Sequence, residues 1–194
     1  MRSGELNPAI LQPLLERLGA GDRPALDDLV ALVYRDLHRL AGNLVRGETN
    51  GTRPTSLVND LYLELHRQGA IEAENAEHFF HIAGYLMRQI LVARARSRAA
   101  AKRGAGCQIV PLDQAPPAAC AWDEDPDTLL ALDAALHRLE SIDPLKSRIV
   151  ELRYFSDLSI EETARVLHLS PATVKRHWSV ARLWLFDQLQ SLES

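Results

Sequence analysis

Between Thr173 and Arg182 the chain carries Thr173, Lys175, Arg176, His177, Ser179 and Arg182, with no carboxylate among them. Hydroxyls and cations in this mixture donate to phosphate oxygens and to base edges in a DNA groove. A second cluster lies upstream. From Arg88 to Arg103 every charged residue is basic: Arg88, Arg94, Arg96, Arg98, Lys102 and Arg103. Six cations without a carboxylate suit a polyanionic backbone, where each neutralised duplex phosphate adds roughly 0.9 to the log–log salt slope. The plain alternatives are a helical hairpin with a solvated basic face and an Ala/Arg-rich helix end with favourably placed cations.

Both clusters need helices to present them. Ser159 followed by Glu162 is a capping box, and Ser170-Pro171 restarts a helix with Ser at the N-cap and Pro at the first helical position. Only His168-Leu169 separates the two segments, so the spacing predicts a helix-turn-helix. In its second helix Val174, Trp178, Ala181 and Leu185 recur at helical spacing as a buried stripe. The hydroxyls and cations then mostly fall on the remaining surface.

Upstream, the apolar spacing predicts a short helix through Ile10, Leu14 and Leu18, stopped at Gly19-Ala20-Gly21. Asp22-Arg23-Pro24 opens a longer one, with Leu26, Leu29, Val30, Val33, Leu37, Leu40 and Leu44 on one face. The stretch from Gly47 to Pro54 reads as a loop. A third helix is expected over about Thr55 to Gln68, and a fourth after a cap at Asn75, turning from apolar to arginine-rich near Val92. Helices resume near Thr128, and Asp143-Pro144 caps the next. No stretch alternates as a strand does. The expected fold is all-α: two small helical domains joined by a flexible linker, the C-terminal one a helix-turn-helix. Boundaries fall at residues 1–103, 104–126 and 127–194.

With 194 residues, 46% apolar and 25% charged, the chain can build two modest helical cores. The net charge of −4 argues weakly against DNA binding, but the charge is segregated: from Leu112 to Thr128, through the Pro/Gly-containing linker and just past it, every charged residue is acidic (Asp113, Asp123, Glu124, Asp125 and Asp127). No apolar run approaches the ~20 residues of a membrane span, and the N-terminus lacks a signal-peptide core, so a cytoplasmic protein is expected. Cys107 and Cys120 lack metal-site spacing. A zinc site combining them with His78 and His81 can be imagined, yet unrelated thiols and helix histidines are the simpler reading, and no metal or other cofactor is expected. Phosphate-loop, nucleophile-elbow and His-Glu-x-x-His motifs do not occur, which disfavours an enzyme.

Three stretches together resemble a bacterial RNA polymerase sigma factor of the extracytoplasmic-function (ECF) type. Arg53-Pro54-Thr55-Ser56-Leu57-Val58-Asn59-Asp60-Leu61-Tyr62-Leu63-Glu64-Leu65 looks like the family's helix that binds the clamp of the polymerase's largest subunit. His78-Phe79-Phe80 through Val92, then Ala101-Lys102-Arg103-Gly104, resembles the helix that meets the −10 element. Asp143-Pro144 through Phe155, continuing to Trp184-Leu185, is similar to the −35-reading domain. The resemblance implies a non-enzymatic subunit that binds core RNA polymerase and directs promoter-specific initiation, with promoter DNA as second partner and no membrane insertion. It also admits an anti-sigma partner.

By the same resemblance Asn59, Asp60 and Tyr62 face the polymerase. Arg67, Gln68 and Asn75 flank an extruded −10 base, while Arg94, Arg96, Arg98 and Lys102 hold phosphates. Thr173, Lys175, Arg176, His177, Ser179 and Arg182 enter the −35 groove. The linker threads toward the polymerase cleft. Three positions depart from the family pattern: Ala93-Arg94 replaces a usual Asp-His, His168 a usual Gly, and Arg176-His177 a small residue followed by Arg. A stand-alone helix-turn-helix regulator with a sensing or dimerising N-terminal domain is the main competing reading, and a protein-only adaptor the third.

Overall fold

The structure, a computed structural model, describes residues 7–45, 52–104 and 126–190, with side chains at 101–104 and 126–127 left aside. The linker expected at 104–126, with both cysteines, lies almost wholly outside the described residues, as does most of the loop at 47–54. Among the described residues the fold is all-α, without a strand.

Four helices form the first unit: α1 (Pro8–Gly19), α2 (Arg23–Leu44), α3 (Pro54–Gln68) and α4 (Ala76–Gly104). The apolar stripes read from the sequence meet in one core, where Leu15, Leu29, Leu37, Leu57, Leu61, Phe79, Phe80 and Met87 are buried. Each helix start has a local cause. Asn7 accepts from the Ala9 amide at 3.0 Å, and Asn75, as expected, accepts from the His78 amide at 2.8 Å. Asp22 does not cap α2; its carboxylate instead accepts from Arg17 Nε at 2.7 Å.

The second unit comprises α5 (Pro126–Ile142), α6 (Pro144–Val150), a π-helical turn (Glu151–Phe155), α7 (Ile160–Leu167) and α8 (Pro171–Gln190). Asp143 caps α6 by accepting from the Lys146 amide at 3.0 Å. The reciprocal capping box of α7 is present, with Glu162 to the Ser159 amide at 2.7 Å and Ser159 to the Glu162 amide at 3.1 Å. His168 closes α7 in the left-handed conformation, φ 53° and ψ 40°. Its amide donates to Arg165 O, and that of Leu169 donates to Ala164 O, the paired pattern of a Schellman motif. A histidine thus occupies a glycine position. Thr173 donates its amide to Ser170 Oγ at 3.1 Å, which fixes the start of α8.

The two units are packed together along α4, with α5 and the π turn against it. Sequence periodicity predicts a plain helix through Leu152; the wider π turn is a difference, and it carries both Glu151 and Phe155 to α4. Gly84 is what admits it. A Cβ there would overlap the Phe155 carbonyl, so α4 accepts a helical glycine that costs about 1 kcal/mol relative to Ala. Asn43 donates to Asp157 at 3.1 Å and Arg165 pairs with Glu77 at 3.3 Å across the same seam.

His81 is buried at the seam beside Arg148, within hydrogen-bonding reach of it. A guanidinium can only donate, so His81 Nε2 must be the acceptor and the ring neutral. Burial first, then the charges of Arg148, His78 and Arg88, push its pKa from 6.5 down to about 3. The unfolded chain therefore binds the proton more readily, and stability falls as pH drops below the unfolded value. Glu151 runs the other way, its pKa raised by burial against the pull of Arg88 and Arg148, so the slope of the His81 variant isolates the histidine's share. Between pH 7 and pH 5 the melting temperature should fall, and His81→Gln, which keeps an acceptor for Arg148, should flatten that slope. An equal slope in the variant would refute the assignment. Separately, His168→Gly should raise stability in urea unfolding by about 1 kcal/mol through relief of the left-handed side chain; a loss would show that the His side chain supports the turn.

Candidate nucleic-acid interface and its flank

The exposed face of α8 follows from its buried one. Val174, Ala181 and Leu185 are enclosed by α5, α6 and α7, with Trp178 half-buried beside them. Lys175 and Arg176 consequently project to solvent, and among the described residues neither has an ion-pair partner. Ser179 is exposed but its hydroxyl donates to Lys175 O at 3.0 Å. Arg182 lies over the Trp178 ring at 5.9 Å, and Arg153 reaches the same ring at 5.4 Å. Thr173 is half-buried with its hydroxyl 2.9 Å from that of Ser170. His177 is half-buried too, its Nδ1 enclosed without a described hydrogen-bond partner, so it stands apart from the open face.

The arginine run of α4 is less free than its sequence suggests. Arg88 is 4% exposed. It donates to Asp133 at 2.8 Å and to Glu151 at 3.1 Å, between the rings of Tyr85 and Phe155 at 5.4 and 5.3 Å. Arg96 reaches the other oxygen of Asp133 at 3.2 Å. A run without a carboxylate in sequence thus finds its carboxylates on α5 and the π turn. Arg98 is half-buried and partnered, and the side chain of Lys102 lies outside the described residues.

Arg94 turns toward α3, where it pairs with Asp60 and donates to Ser56 Oγ at 3.1 Å. The sequence reading put these two residues in separate roles; the fold makes them one ion pair. Together with Leu63, Glu64, Arg67, Gln89, Ile90 and Ala93 they line an open groove between α3 and α4. Arg67 is highly exposed and pairs with Glu64 at 2.7 Å, and Gln68 lies 3.5 Å from the same Glu64. Asn75, spent on its cap, sits across the loop that follows Gly69. Asn59 is exposed. Tyr62 donates its hydroxyl to Asp27 at 2.7 Å, which raises the phenol pKa by stabilising its protonated form.

The family model of the ECF sigma factors matches residues 10–191. The chain belongs to the ECF sigma factor family. Membership makes it a sigma factor, associated with RNA polymerase and acting in promoter-specific transcription initiation as a regulatory rather than a catalytic subunit. No curated protein matches the chain. Among the described residues no helix is long and apolar enough to cross a membrane.

Sequence reasoning missed the burial of Arg88. The available signal was its place in the apolar stretch Leu86-Met87 to Leu91-Val92, where a cation on the packed side needs a partner. The two arginines should respond differently to truncation. Arg88→Ala leaves buried Asp133 and half-buried Glu151 with only the more exposed Arg96 and Arg148 as ion-pair partners, and should cost up to roughly 3–5 kcal/mol in urea unfolding. Arg94→Ala breaks a pair whose members are each about a third exposed, and should cost at most about 1 kcal/mol. Comparable losses would mean that Arg88 is hydrated in solution.

Proposed function

We propose that this chain docks on core RNA polymerase through α3, reads a −35 element with the open face of α8, and contacts the −10 element along α4 and the loop before it. The observation that carries this reading is the pair Lys175 and Arg176, without an ion-pair partner among the described residues and held outward at a helix start capped by Ser170. A helix entering the major groove uses its N-terminal residues on base edges, which is where these two stand. Thr173, Ser179 and Arg182 would flank them on phosphates. His177, half-buried, has the weakest case in the set.

The groove between α3 and α4 has the mixed character expected of a site that meets protein on one wall and nucleic acid on the other. Asn59 on α3 offers an exposed amide to a polymerase surface. Asp60 and Tyr62 would meet the polymerase already oriented by Arg94 and Asp27. Arg94 stands where relatives carry His, and its pairing with Asp60 gives that departure a physical role: it ties the polymerase helix to the promoter helix. Arg67, beside the same groove, is the cation best placed for an extruded base or its phosphate.

Lys175→Ala with Arg176→Ala should lose roughly 1–3 kcal/mol of promoter affinity per base-reading contact, measured on holoenzyme by fluorescence anisotropy. Co-elution with core polymerase should be unchanged in that variant and weakened in Asn59→Ala with Asp60→Ala. A parallel loss of polymerase binding in the α8 variant would overturn the division of labour. Failure of the unmodified chain to co-elute at any salt would overturn the function itself.

A further inference from the structure

Among the described residues, two that are not glycine take a left-handed backbone: Asp157 and His168, each with φ 53°. A β-carbon resists that conformation, although Asp and His tolerate it better than most. Asp157 has a compensating contact, since its carboxylate accepts from Asn43 at 3.1 Å. His168 is exposed and has no hydrogen-bond or ion-pair partner among the described residues. Strain held without a local compensation collects at functional sites.

The turn determines which way the side chain faces. Leu167 and Leu169, on either side, pack on the small core of Ile149, Ala164 and Val174. His168 between them therefore faces solvent. Its own amide and that of Leu169 are tied back to Arg165 O and Ala164 O, which holds the segment two residues before the Ser170 cap of α8. Neighbouring polar side chains are committed: Ser170 and Thr173 to each other at 2.9 Å, Glu162 to its capping box, Arg165 to Glu77. A helix that enters the major groove by its N-terminal turn brings the segment just before it to the groove's rim, where phosphates stand. Both the neutral and the charged imidazole carry an N–H to offer there.

Resting on the −35 role of α8, we propose that His168 is a backbone contact of that interface. An imidazole N–H donates to a phosphate oxygen at the groove rim, and the left-handed turn aims it there. The residue adds affinity without reading sequence, and the strain of the turn is the stability given up for it.

His168→Gly and His168→Ala, each in the full chain bound to core polymerase, separate strain from contact. Both lack the donor, and only glycine relieves the backbone. The probe is a fluorescein-labelled duplex selected by the unmodified holoenzyme from a random-sequence pool. By anisotropy both variants should bind it roughly two- to tenfold more weakly, the value of one hydrogen bond. His168→Gly should do so while resisting urea better than the unmodified chain. Single-base changes in the −35 element should leave the affinity ratio unchanged, as a phosphate contact requires. A scan of uncharged methylphosphonates should find a position that weakens the unmodified holoenzyme and leaves His168→Gly unaffected.

Equal affinity in the variants would overturn the contact. So would a ratio that changes with base sequence, or a scan that acts alike on both proteins. Weaker binding accompanied by lower urea resistance in His168→Gly would make the residue a support of the turn, and would overturn the contact too. The functional reading fails separately: Lys175→Ala with Arg176→Ala would then leave duplex affinity intact, and the contact falls with it.

Discussion

One buried cation organises this molecule. A guanidinium stays charged at any pH the protein meets, so Arg88, once enclosed, must bring anions with it. Asp133 and Glu151 supply them from α5 and the π turn, and the faces of Tyr85 and Phe155 close the remaining sides. The rest of the seam follows from that requirement. Glu151 can reach Arg88 only because α6 widens into a π turn, and the π turn can approach only because residue 84 has no side chain. Taking Arg96 and Arg148 into the same network spreads the carboxylate charge over three arginines.

The division between stability and function runs along individual helices rather than between them. Helix α4 puts Phe79, Phe80, Met87 and Leu91 into the first core, Arg88 into the seam, and Arg94 into the groove shared with α3. Helix α8 puts Val174, Ala181 and Leu185 inward and leaves Lys175 and Arg176 in solvent. In both cases the apolar stripe fixes the helix rotation, and that rotation determines which cations remain available. Arginines a few residues apart can therefore do unrelated work.

Much of this was legible from spacing. The stripes of α2 and α8, the capping box at Ser159 and Glu162, the Asn75 and Asp143 caps and the Ser170-Pro171 restart are local patterns, each complete within a few residues, and the fold honours them. The family resemblance, carried by longer stretches of motif, agrees with the family model over residues 10–191. What the sequence could not display is pairing at a distance. Asp60 and Arg94 lie 34 residues apart, Arg88 and Glu151 63, and nothing in either neighbourhood announces the other. A run of arginines reads as a phosphate surface when its partners are out of view. His168 was legible as a departure from glycine; that it holds the left-handed conformation is a structural finding.

The account turns on α3 as the helix that meets the polymerase. Hydrogen exchange, followed on the full chain with and without core RNA polymerase, tests this most directly, because exchange reports protection segment by segment. Amides of α3 around Asn59 should gain protection in the complex. Unchanged protection there would contradict the polymerase reading.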